Sequence, residues 1–267
     1  MKTLTWNKIA VCLGNGQSRQ GLDLKKIRKY ATVIGCNAIY RDFTPDILVA
    51  VDSRISHEIY RKANLNNMKA YLGYWTSIPN MVAMEMLRSC KTKIDSDATE
   101  GGNECVYHGA DGVFTAVKGK NLGIAYVTEV KEKQGPVKSI EPDVDGFAYA
   151  TGSRSVYLAC DLGAERVFIV GHDLYSDNDK INNLYAGTKG YSKKDALAMN
   201  PNNPDETYNW ILQHKNTFDK FRNVQFYKVN KTADGDKAKT SFKIPEWRSC
   251  ANLEYITQEK MAKMLYN

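Results

Sequence analysis

Short apolar runs cut off by glycine or polar clusters recur along this chain. Residues 8–13 (KIAVCL) form one, ended by Gly14-Asn15-Gly16. An apolar run of that length closing on glycine predicts a buried strand that enters a tight turn. Ser18 stands where a helix N-cap belongs, and Leu22, Leu24, Ile27 and Tyr30 share one face of the helical turn that follows. Residues 31–35 (ATVIG) and 46–51 (DILVAV) predict two further strands. Residues 153–162 (SRSVYLACDL) have a helical period that Gly163 ends, and 166–170 (RVFIV) is a strand closing on Gly171-His172-Asp173. Strand, turn, helix and strand in alternation, with strands apolar at nearly every position, is the pattern of a parallel sheet covered on both faces.

The middle of the chain is less regular. Residues 69–75 and 124–130 predict strands, 81–90 (MVAMEMLRSC) a helix whose methionines fill a core, and 96–102 a polar loop. Residues 176–206 are rich in Asn, Asp, Gly, Lys and Pro, with little periodicity over a length that predicts a lid. A helix over 208–222, a strand over 224–229 and a terminal helix over 256–266 complete the pattern. The expected architecture is one Rossmann-like α/β domain over 1–267, with a mostly parallel sheet, helices on both faces and a lid at about 176–209.

Composition narrows the class. The longest apolar runs fall far short of the ~20 residues a membrane helix needs, and the first residues lack a secretory pattern. The six cysteines, at 12, 36, 90, 105, 160 and 250, show no CxxC spacing, which predicts buried free thiols in a reducing cytoplasm. Lys and Arg total 37 against 30 Asp and Glu, a formal charge of +7. That excess suits a polyanionic partner such as nucleic acid, and it also suits plain solubility.

Candidate chemistry lies at the strand ends, where doubly wound sheets bind ligands. Those ends carry Gly14-Asn15-Gly16-Gln17-Ser18, Cys36-Asn37, Asp52-Ser53 and Gly171-His172-Asp173. Glycines at 14 and 16 would let backbone amides approach a phosphate. Position 19 is Arg and no GK[ST] follows, so the turn is neither a dinucleotide fingerprint nor a P-loop.

Taken together, residues 9–18 (IAVCLGNGQS), 35–40 (GCNAIY), 47–53 (ILVAVDS), 151–175 and 212–219 (LQHKNTFD) resemble the bacterial lipo-oligosaccharide sialyltransferases. The resemblance follows chain order and leaves out residues 55–150. It implies a Rossmann-like glycosyltransferase that moves a sugar from a nucleotide donor, UDP- or CMP-linked, with inversion and without a required metal. The glycine-turn pattern is also similar to pterin pyrophosphokinase-like proteins, which keeps a nucleotide kinase as an alternative.

The resemblance implies roles residue by residue. Asn15 and Asn37 match asparagines that hold the donor, within a donor set that includes Gly14, Gly16, Ser18 and Asp173. Ser153, with Ser155 as its rival, matches a serine at a helix start that meets the nucleotide. Tyr175 and Tyr185 match tyrosines on the leaving phosphate, and His214 matches the catalytic histidine. His suits a general base because its pKa lies near neutrality. Asp52 stands where the family has Asn beside the sugar. A carboxylate there repels an anionic sugar and suits a neutral one. Four Asp-x-Asp triplets, at 95–97, 143–145, 177–179 and 234–236, leave a divalent ion possible but not favoured.

Over residues 54–92, Arg54, Arg61, Lys62, Lys69, Arg88 and Lys91 interleave with Tyr60, Tyr71, Tyr74 and Trp75. Basic side chains beside aromatics suit phosphate contact with base stacking. The expected acceptor is therefore a hydroxymethylated pyrimidine in DNA, flipped from the stack, as in bacteriophage enzymes that glycosylate modified cytosine. A bacterial surface glycan is the alternative acceptor. No membrane partner is expected, and oligomeric state is not legible.

Overall fold

The run at residues 9–13 becomes the first strand, β1 (Ile9–Leu13), in a computed structural model that describes residues 8–73, 105–108, 113–117, 126–128, 137–140, 143–144, 146–174, 183–188, 191, 205–231 and 243–266. A short helix α1 (Leu24–Ile27) leads to β2 (Thr32–Cys36) and β3 (Ile47–Ala50). The cap of α1 is Asp23, whose carboxylate accepts the Lys26 N–H at 2.9 Å. Ser18, expected to cap, sits instead in a 3-10 turn over Gln17–Arg19. Next come α2 (Ser53–Lys62), β4 (Lys69–Gly73), β5 (Cys105–His108), β6 (Val113–Val117), β7 (Tyr126–Thr128) and β8 (Val137–Ile140). A two-residue hairpin pair, β9 (Asp143–Val144) and β10 (Phe147–Ala148), precedes α3 (Thr151–Asp161) and β11 (Arg166–Val170). Helix α4 (Asp205–Lys220), β12 (Gln225–Asn230), β13 (Leu253–Thr257) and α5 (Gln258–Tyr266) close the chain.

The chain divides into two compact units, residues 1–49 with 143–267 and residues 50–142, where one domain over 1–267 was expected. In the larger unit six strands run in the order β13-β12-β11-β1-β2-β3, and every adjacent pair is parallel. With these six strands numbered in chain order and read from the β3 edge, the order is 3-2-1-4-5-6, the doubly wound Rossmann-like arrangement. In the smaller unit β4 pairs with β8 in parallel, and β5, β6 and β7 form an antiparallel sheet.

Burial explains why the strands are apolar throughout. All five residues of β2 and all four of β3 are buried, so both faces are covered. In β12 the two faces pack differently. Phe226 meets Phe218 of α4 with ring centroids 4.6 Å apart, while Tyr227 stacks on Phe168 of β11 at 4.8 Å. Burying a side chain of the size of Phe226 stabilises the fold by about 1.5–3 kcal/mol.

The terminal helix begins two residues later than its apolar pattern suggests. Ile256 and Thr257 belong to β13, and the Thr257 hydroxyl accepts the Lys260 N–H at 3.0 Å, which starts α5. Of the strand expected over 124–130, the described residues form β7 in an antiparallel sheet. The helix expected over 81–90 and the loop over 96–102 lie outside the described residues. Cys12, Cys36, Cys160 and Cys250 are buried free thiols. Burial pushes the Cys36 thiol up to about 12, so it stays protonated. Among the described residues no helix is long and apolar enough to cross a membrane.

Candidate functional site

Strand order reverses between β1 and β11, and their carboxyl ends interlock there. The Gly14 N–H donates to Val170 O at 2.8 Å and the Gly16 N–H to Gly171 O at 2.7 Å. A Cβ on Gly14 would stand 2.3 Å from Gly171 O, and one on Gly16 would stand 2.4 Å from the Asp173 carboxylate. The two glycines are thus required by backbone approach. This corrects the expectation that their amides face a phosphate, because both amides are spent on carbonyls of the β11 end.

Ser18 and Asp173, expected to hold a donor, hold each other. The Asp173 carboxylate accepts the Ser18 N–H at 2.8 Å and also the Ser18 hydroxyl. Both residues are buried. Ser155 is likewise turned inward, its hydroxyl donating to Gly152 O at 2.6 Å inside α3. Ser153 is buried too, and its Oγ lies 3.2 Å from His214 Nδ1.

His214 is buried between Trp247 and Phe218, with 1% of its surface exposed. Its Nδ1 stands 2.7 Å from Trp210 O, one helical turn earlier, and its Nε2 stands 3.0 Å from His172 Nδ1. Both nitrogens are therefore engaged. Burial, with a smaller contribution from Lys228, lowers its pKa to about 4, against a Trp210 hydrogen bond that raises it. The nitrogen through which His214 was expected to act as general base is thus already held by another residue. His172 is 5% exposed and is held below the ordinary range by burial, then by His214 and Lys228.

Lys228 faces this pair from β12, and the sequence reading missed it. The alternation in QFYKVN puts Lys228 and Asn230 in phase with core-facing Phe226, which was the available signal. Lys228 is 3% exposed, and its ammonium has the Asn230 amide oxygen at 3.4 Å. Burial lowers its pKa, and the Asp173 carboxylate works against that shift. Gln213 was missed as well. Its amide accepts from the Ala150 N–H at 2.9 Å and donates to Ala148 O at 2.8 Å, which fixes the start of α3.

The asparagines differ from the serines. Asn15 Oδ1 and Asn37 Oδ1 are buried atoms with no hydrogen-bond partner among the described residues. Asn37 follows β2 with φ of 51°, the one non-glycine residue with positive φ among those described. Tyr185 is saturated. Its hydroxyl donates to Asp42 and accepts from Arg19 at 2.8 Å, and Arg19 stands 3.6 Å from Asp42. The expected contact with a leaving phosphate would have to displace this clasp. Burial and the Asp42 hydrogen bond push the Tyr185 pKa up, which keeps the hydroxyl protonated.

No family model, no curated protein and no solved structure matches the chain.

Of the remaining candidates, Asp52 is exposed at the start of α2, in the smaller unit. Tyr175 and most of the expected lid lie outside the described residues, as does the triplet at 177–179. Within that segment, the Leu184 N–H donates to Asn15 O at 2.8 Å. Among the described residues, no three His, Cys, Asp or Glu side chains gather as a metal site. What the crevice offers is hydrogen-bond acceptors beside a neutral histidine pair and a buried cation.

Proposed function

We propose that the chain is a glycosyltransferase, taking a sugar from a nucleotide-linked donor at the β1–β11 crevice and passing it to a hydroxyl. The supporting observation is a set of three buried acceptor atoms at the ends of β1, β2 and β11. Asn15 Oδ1, Asn37 Oδ1 and His172 Nε2 have no partner among the described residues. Buried polar atoms are nearly always satisfied, so such a set asks for a ligand rich in N–H and O–H donors. A nucleotide sugar supplies both, through its base and its hydroxyls. The acceptor favoured is a hydroxymethylated pyrimidine in DNA, in keeping with the charge of +7.

The test is a thermal-shift screen of UDP-, CMP- and GDP-linked sugars and of ATP, with and without Mn²⁺. A donor at a hundred times its Kd stabilises the folded state by about 2.7 kcal/mol. Asn15→Ala should reduce that shift. Stabilisation by ATP alone would replace the transferase with a pyrophosphokinase-like enzyme. For the acceptor, DNA affinity should fall steeply as salt rises, and a salt-independent affinity would exclude contact with the phosphate backbone.

A further inference from the structure

The Trp210 carbonyl and the two histidines determine one another's protons. A carbonyl oxygen only accepts, so the 2.7 Å contact requires the proton on His214 Nδ1. In the neutral ring the other nitrogen is then a lone pair, so His214 Nε2 accepts from His172 Nδ1–H at 3.0 Å. His172 Nε2 is in turn a lone pair. The chain of hydrogen bonds therefore runs in one direction and ends there.

That terminal atom is buried and has no partner among the described residues. Two glycines approach the ring, Gly14 beside Cδ2 and Gly152 beside Cε1 and Nδ1. A Cβ on Gly14 would stand 2.8 Å from His172 Cδ2, and one on Gly152 would stand 3.4 Å from Cε1. A buried acceptor left unpaired is costly, and a ligand O–H removes that cost. The Lys228 ammonium acts on both histidines, and the Asp173 carboxylate acts in turn on Lys228.

We infer that His172 Nε2 is the proton acceptor of the crevice and that His214 is a positioning residue, fixing the tautomer of His172 through the Trp210 carbonyl. The reaction in which this atom acts rests on the transferase reading. The acceptor oxygen bonds to the anomeric carbon of the sugar as the bond from that carbon to the donor phosphate oxygen breaks. The electron pair of the broken bond leaves with the nucleotide. The hydroxyl proton moves to His172 Nε2, and the resulting imidazolium keeps its Nδ1–H bonded to His214 before releasing the proton to solvent.

The first measurement needs no substrate. Long-range ¹H–¹⁵N correlation on the labelled full chain at pH 7 should show both rings protonated at Nδ1 and bare at Nε2, with single variants giving the assignment. A proton on His172 Nε2 would overturn the inference, and because wild-type protein is observed, misfolding of a variant does not blunt the result. The second measurement is transfer kinetics. His172→Gln should lower kcat by about 10²–10⁴-fold with KM nearly unchanged, the usual range for a lost general base. Full kcat in that variant would also overturn it. His214→Leu removes the acceptor for His172 Nδ1–H, whereas His214→Gln retains one, so Gln should restore part of the activity that Leu loses. A role in packing alone would give the reverse order. If no nucleotide sugar is turned over, the transferase reading falls, while the tautomers still decide for or against the lone pair.

Discussion

Asp173 Oδ2 accepts the backbone N–H of Ser18 at 2.8 Å while Oδ1 takes the hydrogen of the Ser18 hydroxyl. One carboxylate thereby ties the end of β11 to the turn after β1. Asp173→Ala would leave two buried donors unpaired, at about 1–3 kcal/mol each, and should lower unfolding stability by about 2–6 kcal/mol in urea titration. Asp173→Asn keeps one acceptor oxygen and should lose less. A stability loss in Asp173→Ala under 0.5 kcal/mol would show that this link is dispensable.

Glycine substitutions should separate the interlock from the helix. Gly14→Ala places a Cβ 2.3 Å from Gly171 O and Gly16→Ala one 2.4 Å from the Asp173 carboxylate, so both should cost several kcal/mol or prevent folding. Gly152→Ala meets only the His172 ring at 3.4 Å, inside α3. There the better helix propensity of Ala, about 1 kcal/mol, should leave stability unchanged or raised. Melting temperatures of the three variants check the contrast.

Stability should fall on acidification through the buried histidines. His214 goes from an ordinary 6.5 to about 4 on folding. Between those values the unfolded chain binds a proton that the folded chain does not, so stability is complete above pH 6.5 and declines as pH drops toward 4. At about 1.36 kcal/mol per pH unit this is roughly 3 kcal/mol. His214→Gln should flatten the curve of urea midpoint against pH over that window. Parallel curves for the variant and the wild type would contradict the account.

Lys228 opposes any positive charge on the histidines. Lys228→Met replaces a poorly partnered buried ammonium with a side chain of similar length. Stability should hold or rise by about 1 kcal/mol, since apolar replacements of buried charges are often neutral or better. The titration of His172 and His214 should move upward, as read by NMR. A downward move would mean that the ammonium acts on the pair in some other way.

The larger unit was legible because its strands are buried on both faces, which leaves runs such as VFIV with no polar residue to confuse the period. The end of the chain misled because LEYIT alternates weakly and its Tyr and Ile also fit a helix face. Site residues divided along a physical line. Asn15 and Asn37 were read from strand ends, a local signal, and their amide oxygens have no hydrogen-bond partner among the described residues. Ser18, Asp173 and Tyr185 were also at suggestive positions, yet each is satisfied by a residue far off in sequence, Asp42 and Arg19 in the case of Tyr185. No local pattern reports such a pairing. The exchange of prominence between His214 and His172 is of the same kind, since it turns on which nitrogen meets the carbonyl of Trp210.

The pairing of Ile9 with Arg166 has a consequence for how the protein is made. The first wall of the crevice leaves the ribosome long before the second, with the whole of residues 50–142 synthesised in between. Until Val170 and Gly171 emerge, the amides of Gly14 and Gly16 lack their acceptors and β1 lacks its central neighbour. Contacts so distant in sequence form slowly and leave apolar strands open meanwhile. Until β11 is made, β1 therefore has one neighbour rather than two, and its open apolar edge is a site for aggregation.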